Sequence, residues 1–361
     1  MEAHQQIAFD LVSHHALGGG SYAFKSEYPA YLISLLPNRN VRTEINIVIQ
    51  PNSSPHSGTL CSLGLAFVVA CRMRALGADT MVSCDLWDRA RAEQVSRNGV
   101  VYQKSLRDTG RFQEYLPDYQ ELLDALSQRY DMPYRLRFEE EFMDNPEIPG
   151  VLQDIIRNRS MLGPKLAPST GAIAVRAACP DCGLVDKYGA KNNYAEDGTS
   201  VSFECPDHGR FSFSTLRDVQ QFQFNCQTYN LVMGLFYERV PFNYIEICGS
   251  DYAGFWQEQL LLRFLSNPIL IVYTPLIVDW SGLKVSKSLY LQDTAYDYLR
   301  RAGQEYLLNY RILRSTGKNI SLLWDEVERW VDEPYRLFRA YSLHYLHLLF
   351  EEEEVSLGTI H

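Results

Sequence analysis

The sequence predicts an α/β fold: a parallel sheet with helices on both faces, a small cysteine-rich insertion and a C-terminal helical bundle. Three observations lead there. A strand, a turn, a helix and a second strand follow one another between residues 44 and 85. Two more apolar, strand-like runs, Tyr244–Cys248 and Ile269–Tyr273, bracket a helical segment further along. Between these halves, two Cys/His knuckles interrupt the α/β pattern. Strand–helix–strand units of this length build parallel sheets, and such sheets take ligands at the carboxyl ends of their strands.

Each element follows from local chemistry. Residues 1–40 carry Gly18–Gly20 and scattered aromatics, read as a short leading helix and a loop. Glu44–Gln50 (EINIVIQ) is a β-branched run of buried-strand type, stopped by the turn residues Pro51-Asn52-Ser53-Ser54-Pro55. From Ser57 to Leu76, Leu60, Leu63, Phe67, Val68, Cys71 and Ala75 recur at helical spacing, and Gly77 closes the helix. Thr80–Asp85 is the second strand. Phe112–Tyr130 and Pro149–Leu162 read as helices, Tyr244–Cys248 as a strand, Asp251–Leu265 as a helix and Ile269–Tyr273 as a strand. From Thr294 to Glu354 the pattern is helical, broken at Gly303, Gly317 and Pro334. The expected organisation is a first core half at 1–172, the insertion at 173–217, a second core half at 218–292 and a helical region at 293–361.

Composition narrows the class. A chain of 361 residues with 46% hydrophobic and 22% charged residues is globular. Lys+Arg total 34 against 44 Asp+Glu, a net charge of −10, which excludes a generally basic nucleic-acid coat but not a local basic patch. The apolar runs Leu63–Cys71 and Pro268–Val278 fall short of the ~18 residues that span a bilayer. The start, MEAHQQIAFD, lacks the charged and apolar regions of a leader. Cys61, Cys71, Cys84 and Cys248 sit in apolar runs, as buried thiols do. The expectation is a reduced, cytoplasmic protein with no membrane and no DNA partner.

The insertion carries metal chemistry. Cys179-Pro180-Asp181-Cys182-Gly183 and Cys205-Pro206-Asp207-His208-Gly209 are near-identical halves, each with two ligands three apart followed by Gly. Cys179, Cys182, Cys205 and His208 suit a tetrahedral Zn2+. With all four positions supplied by protein, the role is structural.

Two loops carry nucleotide chemistry. Asn52, Ser53, His56, Ser57 and Gly58 lie between the first strand and its helix, where free N–H groups and the helix dipole favour an anion. Lys284-Val285-Ser286-Lys287-Ser288 places two lysines three apart with two hydroxyls, a group suited to polyphosphate. Together and in this order, HSGT and KVSKS resemble the HIGH and KMSKS motifs of class I aminoacyl-tRNA synthetases. With Gly249-Ser250-Asp251 and the knuckles, the order resembles the lysyl-type branch, over roughly residues 41–300. That resemblance implies a Rossmann-like (HUP-type) core. It implies that His56 and Gly58 contact adenosine and phosphates, and that Lys284, Ser286 and Lys287 stabilise pyrophosphate charge. It implies that Gly249 and Asp251 line the ribose, and that Asp85 and Asp88 face an α-amino group or a cationic side chain.

The chain ends 73 residues after Ser288, which leaves room for a short helical region in place of an anticodon-binding one. Arg300, Arg301, Arg311, Arg314 and Lys318 offer a possible docking face for a tRNA acceptor stem. In size, insertion and length the chain is similar to the fungal arginine-containing cyclodipeptide synthases. That kinship implies a tRNA-dependent cyclodipeptide synthase consuming arginyl-tRNA, with Asp85, Asp88 or Glu246 holding the guanidinium. Ser53, Ser54, Cys61 and Cys84 are candidates should an acyl-enzyme form. The alternative is an ATP-dependent amino-acid-activating ligase or a truncated class I aminoacyl-tRNA synthetase paralogue working through an aminoacyl-adenylate, favoured by the near-complete KVSKS; only that reading needs ATP. A third is a non-enzymatic tRNA-binding relic.

Overall fold

The structure is a computed structural model that describes residues 14–16, 27–253, 269–285, 290 and 296–358. Five strands form its central sheet: β2 (Thr43–Ile49), β3 (Thr80–Leu86), β6 (Tyr134–Phe138), β13 (Asn243–Gly249) and β14 (Leu270–Thr274). Their order is β14-β13-β2-β3-β6, with every pair parallel. The α/β class with a parallel sheet flanked by helices is therefore observed, and β2, β13 and β14 lie within two residues of their expected bounds.

The strand pattern explains the two faces. Ile45, Ile47, Val82 and Cys84 point to one side and pack against α2 (Ser57–Ala75). Behind α2 lies α10 (Ser321–Asp332). A Cβ at Gly64 of α2 would come within 3.1 Å of the Trp324 ring, so glycine there lets α10 approach closely. On the other side Tyr244 joins Phe236 and Tyr237 of α7 (Cys226–Tyr237) and Val151 and Ile155 of α5 (Ile148–Arg157) in a second core.

Several expectations change. α2 is, by length and composition, apolar enough to span a membrane, contrary to the sequence reading. Its hydrophobicity is that of a core helix instead: Leu63, Leu65, Phe67, Val68 and Val69 are wholly buried between the sheet and α10. The helix expected over 149–162 breaks at Asn158 into α5 and α6 (Arg159–Leu166). A hairpin of β4 (Arg91–Arg97) and β5 (Val100–Ser105) was not foreseen. The C-terminal helical region also holds a strand, β16 (Arg339–Ser342), paired with β1 (His14–Ala16) and β15 (Ile277–Val278). Of the helix expected over Asp251–Leu265, the part beyond Ala253 lies outside the described residues.

The basic segment 300–318 is not an open cationic face. Arg300 pairs with Asp297 and Glu305, Arg311 with Asp118, and Arg314 with Glu121. Asp118 and Glu121 belong to α3 (Leu116–Tyr130), so Arg311 and Arg314 fasten the C-terminal region to the core, while the Arg300 pairs stay within that region.

Candidate active-site cleft

The strand order reverses between β2 and β13. The chain winds from β2 outward to β3 and β6, and from β13 the other way to β14. Open parallel sheets bind ligands in the crevice at such a point. A cleft of about 290 Å³ opens there. It is lined by Gln50 at the end of β2, His56 and Gly58 at the start of α2, Gly249 and Asp251 at the end of β13, and Lys284. Two loops 226 residues apart in the chain thus meet on one cavity.

His56 is the N-cap of α2. Its Nδ1 accepts the backbone N–H of Gly58 at 3.0 Å. With Nδ1 accepting, the neutral imidazole carries its proton on Nε2, at the N-terminus of the helix. Gly58 makes the geometry possible: a Cβ there would lie 2.9 Å from His56 Cε1 and 3.1 Å from Nδ1. Across the cleft, Lys284 Nζ pairs with an Asp251 carboxylate oxygen and sits 5.7 Å from the centre of the Tyr252 ring. A Cβ on Gly249 would collide with Asp251, at 2.4 Å from Oδ1, so glycine lets that carboxylate fold back over the strand end.

Other expected site residues are placed differently. Ser53 and Ser57 are buried in the loop's support. Ser57 Oγ donates to the Leu307 carbonyl, Tyr310 N–H donates to the Pro55 carbonyl at 2.9 Å, and Arg311 N–H donates to Ser54 Oγ at 3.2 Å. The C-terminal region therefore holds the His56 loop from behind. Asn52 does not line the cleft; its buried Oδ1 has no hydrogen-bond partner among the described residues. Cys61 and Cys84 are wholly buried in the core, where desolvation pushes both thiols up, which removes them as nucleophiles. Ser286 and Lys287 lie outside the described residues.

The three acids expected to hold a cation are used inside the chain. Asp85 makes a bidentate pair with Arg137 at 2.7 and 2.8 Å, and Asp88 makes one with Arg107 at 2.8 and 3.1 Å. Glu246 is buried against the Tyr244 hydroxyl, and desolvation pushes its carboxyl up to about 8. None of the three lines the cleft. The physical reason is register. Asp85 faces Arg137 directly across β3 and β6, and Tyr244 and Glu246 share one face of β13.

The cleft also contains residues that the sequence reading missed. Ser62 and Thr274 meet at 2.9 Å between α2 and β14, and Tyr119 closes the floor with its hydroxyl near the carbonyls of Gln50 and Ser53. Tyr119 and Thr274 come from distant segments, and nothing local in the sequence marks them.

The metal ligands come together as expected. The ligating atoms of Cys179, Cys182, Cys205 and His208 all lie within 4.8 Å of one another. Cys179 Sγ is 3.6 Å from His208 Nδ1, and Cys182 Sγ is 3.6 Å from Cys205 Sγ. Zn–S bonds of about 2.3 Å in a tetrahedron require ligand separations of about 3.8 Å, so the cluster fits zinc closely. Gly183 and Gly209, with φ of +73° and +77°, turn each knuckle. The insertion docks through β8 (Val185–Asp186), which pairs with β5 of the hairpin.

No protein-family profile matches the sequence, and no curated protein matches it. Among solved structures, the chain is similar to one described as an arginyl-tRNA synthetase from Campylobacter jejuni. The TM-score is 0.31 and the identity 11%, over 93% of this chain and 91% of that one. It is also similar to a glutamate tRNA ligase from Elizabethkingia meningosepticum in complex with its amino acid. There the TM-score is 0.33 and the identity 13%, over 69% of this chain and 52% of that one. The chain spans about half the length of that ligase. Both likenesses are remote.

Proposed function

We propose that the cleft receives the terminal adenosine of an aminoacyl-tRNA and that the chain is an aminoacyltransferase. In the finer reading it joins an arginyl group from arginyl-tRNA to a second aminoacyl group and closes the product to a diketopiperazine. The convergence of His56, Gly249, Asp251 and Lys284 on one cleft at the sheet's reversal point carries the proposal. His56 Nε2–H would donate to a phosphate or ribose oxygen, and Asp251 would accept from a ribose hydroxyl.

The chemistry needs no ATP, because the ester already carries the activation. The amine of one aminoacyl group attacks the ester carbonyl carbon of the other. A C–N bond forms, the C–O ester bond breaks, and the amine's proton passes to the departing ribose oxygen. The free amine of the dipeptide then attacks its own ester and releases the second tRNA in the same way. The cleft's contribution is positioning.

The arginyl choice rests on the resemblance. Asp85, Asp88 and Glu246 are withdrawn as guanidinium partners, and Asp251 is the carboxylate among the described cleft residues. The second reading, ATP-dependent activation, is favoured by the placement of Lys284 in the cleft, where it suits a pyrophosphate. One experiment separates them. Cyclic dipeptide formed from pre-charged arginyl-tRNA without ATP is expected. Amino-acid-dependent exchange of labelled pyrophosphate into ATP without tRNA would overturn it in favour of the ligase.

A further inference from the structure

We infer that Trp280 and Leu283, on the hairpin tip beside the cleft, form a stacking platform for the unpaired nucleotides that precede the terminal adenosine of a tRNA. This rests on the proposed reading that the cleft takes that adenosine.

Trp280 and Leu283 are 81% and 68% exposed, the two most exposed large apolar side chains among the described residues. Tyr252, also partly exposed, lines the cleft close by and faces Lys284. Exposed apolar groups scattered singly need no explanation, but Trp280 and Leu283 stand three residues apart on the one hairpin whose Lys284 lines the cleft.

The tip is rigid. Val278 bridges Lys284, and the Val285 N–H donates to the Ile277 carbonyl at 2.9 Å. Asp279 Oδ1 accepts from Ser281 N–H at 2.8 Å, Ser281 Oγ at 2.6 Å and Leu283 N–H at 3.2 Å. Gly282, at φ +81°, completes the turn. The ordering entropy of this backbone turn is spent before any ligand arrives. The same hairpin carries Lys284 into the cleft, so its tip stands a few residues from the cavity wall.

Charge and area choose the occupant. The chain carries a net −10, and most of the one basic segment that seemed fit to grip RNA is paired internally. A tRNA end in the cleft thus gains little from the chain's general charge, and uncharged contacts add to what Lys284 supplies. Base stacking on an exposed aromatic ring is such a contact, and it tolerates any base. A second protein copy fits poorly. Two side chains supply a few hundred Å² at most, whereas a stable interface needs about 800 Å² from each partner.

The test uses an RNA hairpin with a single-stranded 3′ tail ending in adenosine, the same hairpin lacking only the last adenosine, and the hairpin without a tail. Trp280→Ala is expected to weaken binding of the full-tailed hairpin by about 5- to 150-fold, with Trp280→Tyr retaining most of the affinity. The tail-less hairpin should bind both variants equally, and the salt dependence for the wild type should be shallow. Thermal unfolding of the variants checks that the exposed substitution leaves the fold intact. Binding that needs the last adenosine and His56 but ignores Trp280 would overturn the platform and leave the cleft reading standing. Binding that ignores the last adenosine would instead remove the cleft reading. A concentration-dependent dimer lost in Trp280→Ala, seen by sedimentation, would assign the tip to a contact between copies and overturn the inference.

Discussion

Replacing Gly58 by Ala separates the fold from the site with one methyl group. The added Cβ would stand 2.9 Å from His56 Cε1, closer than carbon atoms pack, so the imidazole must swing away. The bond from Gly58 N–H to Nδ1 is then lost, and with it the cap of α2 and the orientation of Nε2. Losing a cap costs about 0.5–2 kcal/mol. Exchanging Gly for Ala in a helix returns up to about 1 kcal/mol. Net stability should therefore stay within about 1 kcal/mol of the parent. Function should not: a hydrogen bond to a charged group contributes about 1.5–3 kcal/mol, or about 10- to 150-fold in transfer rate. The assay is denaturant unfolding beside product formation from pre-charged tRNA. His56→Ala should lose a similar factor, and the double variant should lose little more, because both act on one ring. Full activity in Gly58→Ala, or losses that add, would refute the coupling between this glycine and the imidazole.

Three further outcomes follow from the placement of charges and ligands. Asp85→Asn leaves Arg137 buried with half its pairing gone and should cost about 3–5 kcal/mol of stability by denaturant titration; an unchanged midpoint with an altered KM would restore Asp85 as a substrate residue. Glu246 should impose a pH dependence on folding. Burial raises its carboxyl from the usual 4.5 to about 8, so the folded state prefers it neutral while the unfolded chain ionises it. Stability is then whole below about pH 4.5 and falls by about 1.4 kcal/mol per unit as pH rises toward 8. Glu246→Gln should flatten that slope, and an unaltered pH profile would contradict the burial argument. Elemental analysis should find about one zinc per chain, lost together with thermal stability in Cys182→Ser; a fully folded, metal-free wild type would remove the knuckle assignment.

Much of the core was legible because its signals are local. The run of Ile45, Ile47 and Ile49, the turn at Pro51–Pro55 and Gly77, with φ of +91°, mark a strand, a loop and a helix end within a few residues of each other. The two knuckles carry their ligands three apart. The hairpin of β4 and β5 hid behind a polar strand, RAEQVSR, exposed along most of its length. Its one readable signal was Asn98-Gly99, both left-handed, a pair that favours tight hairpins. β16 is four residues long and pairs with strands far away in sequence, so no periodicity exposes it.

The site was half legible for a related reason. Which residues sit at a strand end is a local matter, and the His56 loop was singled out that way, whereas Lys284 came from the spacing of two lysines and Asp251 from the resemblance to the synthetase motifs. Which partner an acid meets is not local. Asp85 meets Arg137 52 residues on, and Asp118 meets Arg311 193 residues away. A carboxylate read alone resembles a substrate ligand until its arginine is placed beside it.

Calorimetry with a non-hydrolysable aminoacyl-adenosine, in which an amide replaces the ester, puts the cleft itself to trial. The wild type should bind one molecule per chain, and His56→Ala, with its fold intact, should bind about 10- to 150-fold more weakly. Equal affinity in the two proteins, or no binding in either, would mean that the cavity between β2 and β13 is not where adenosine sits.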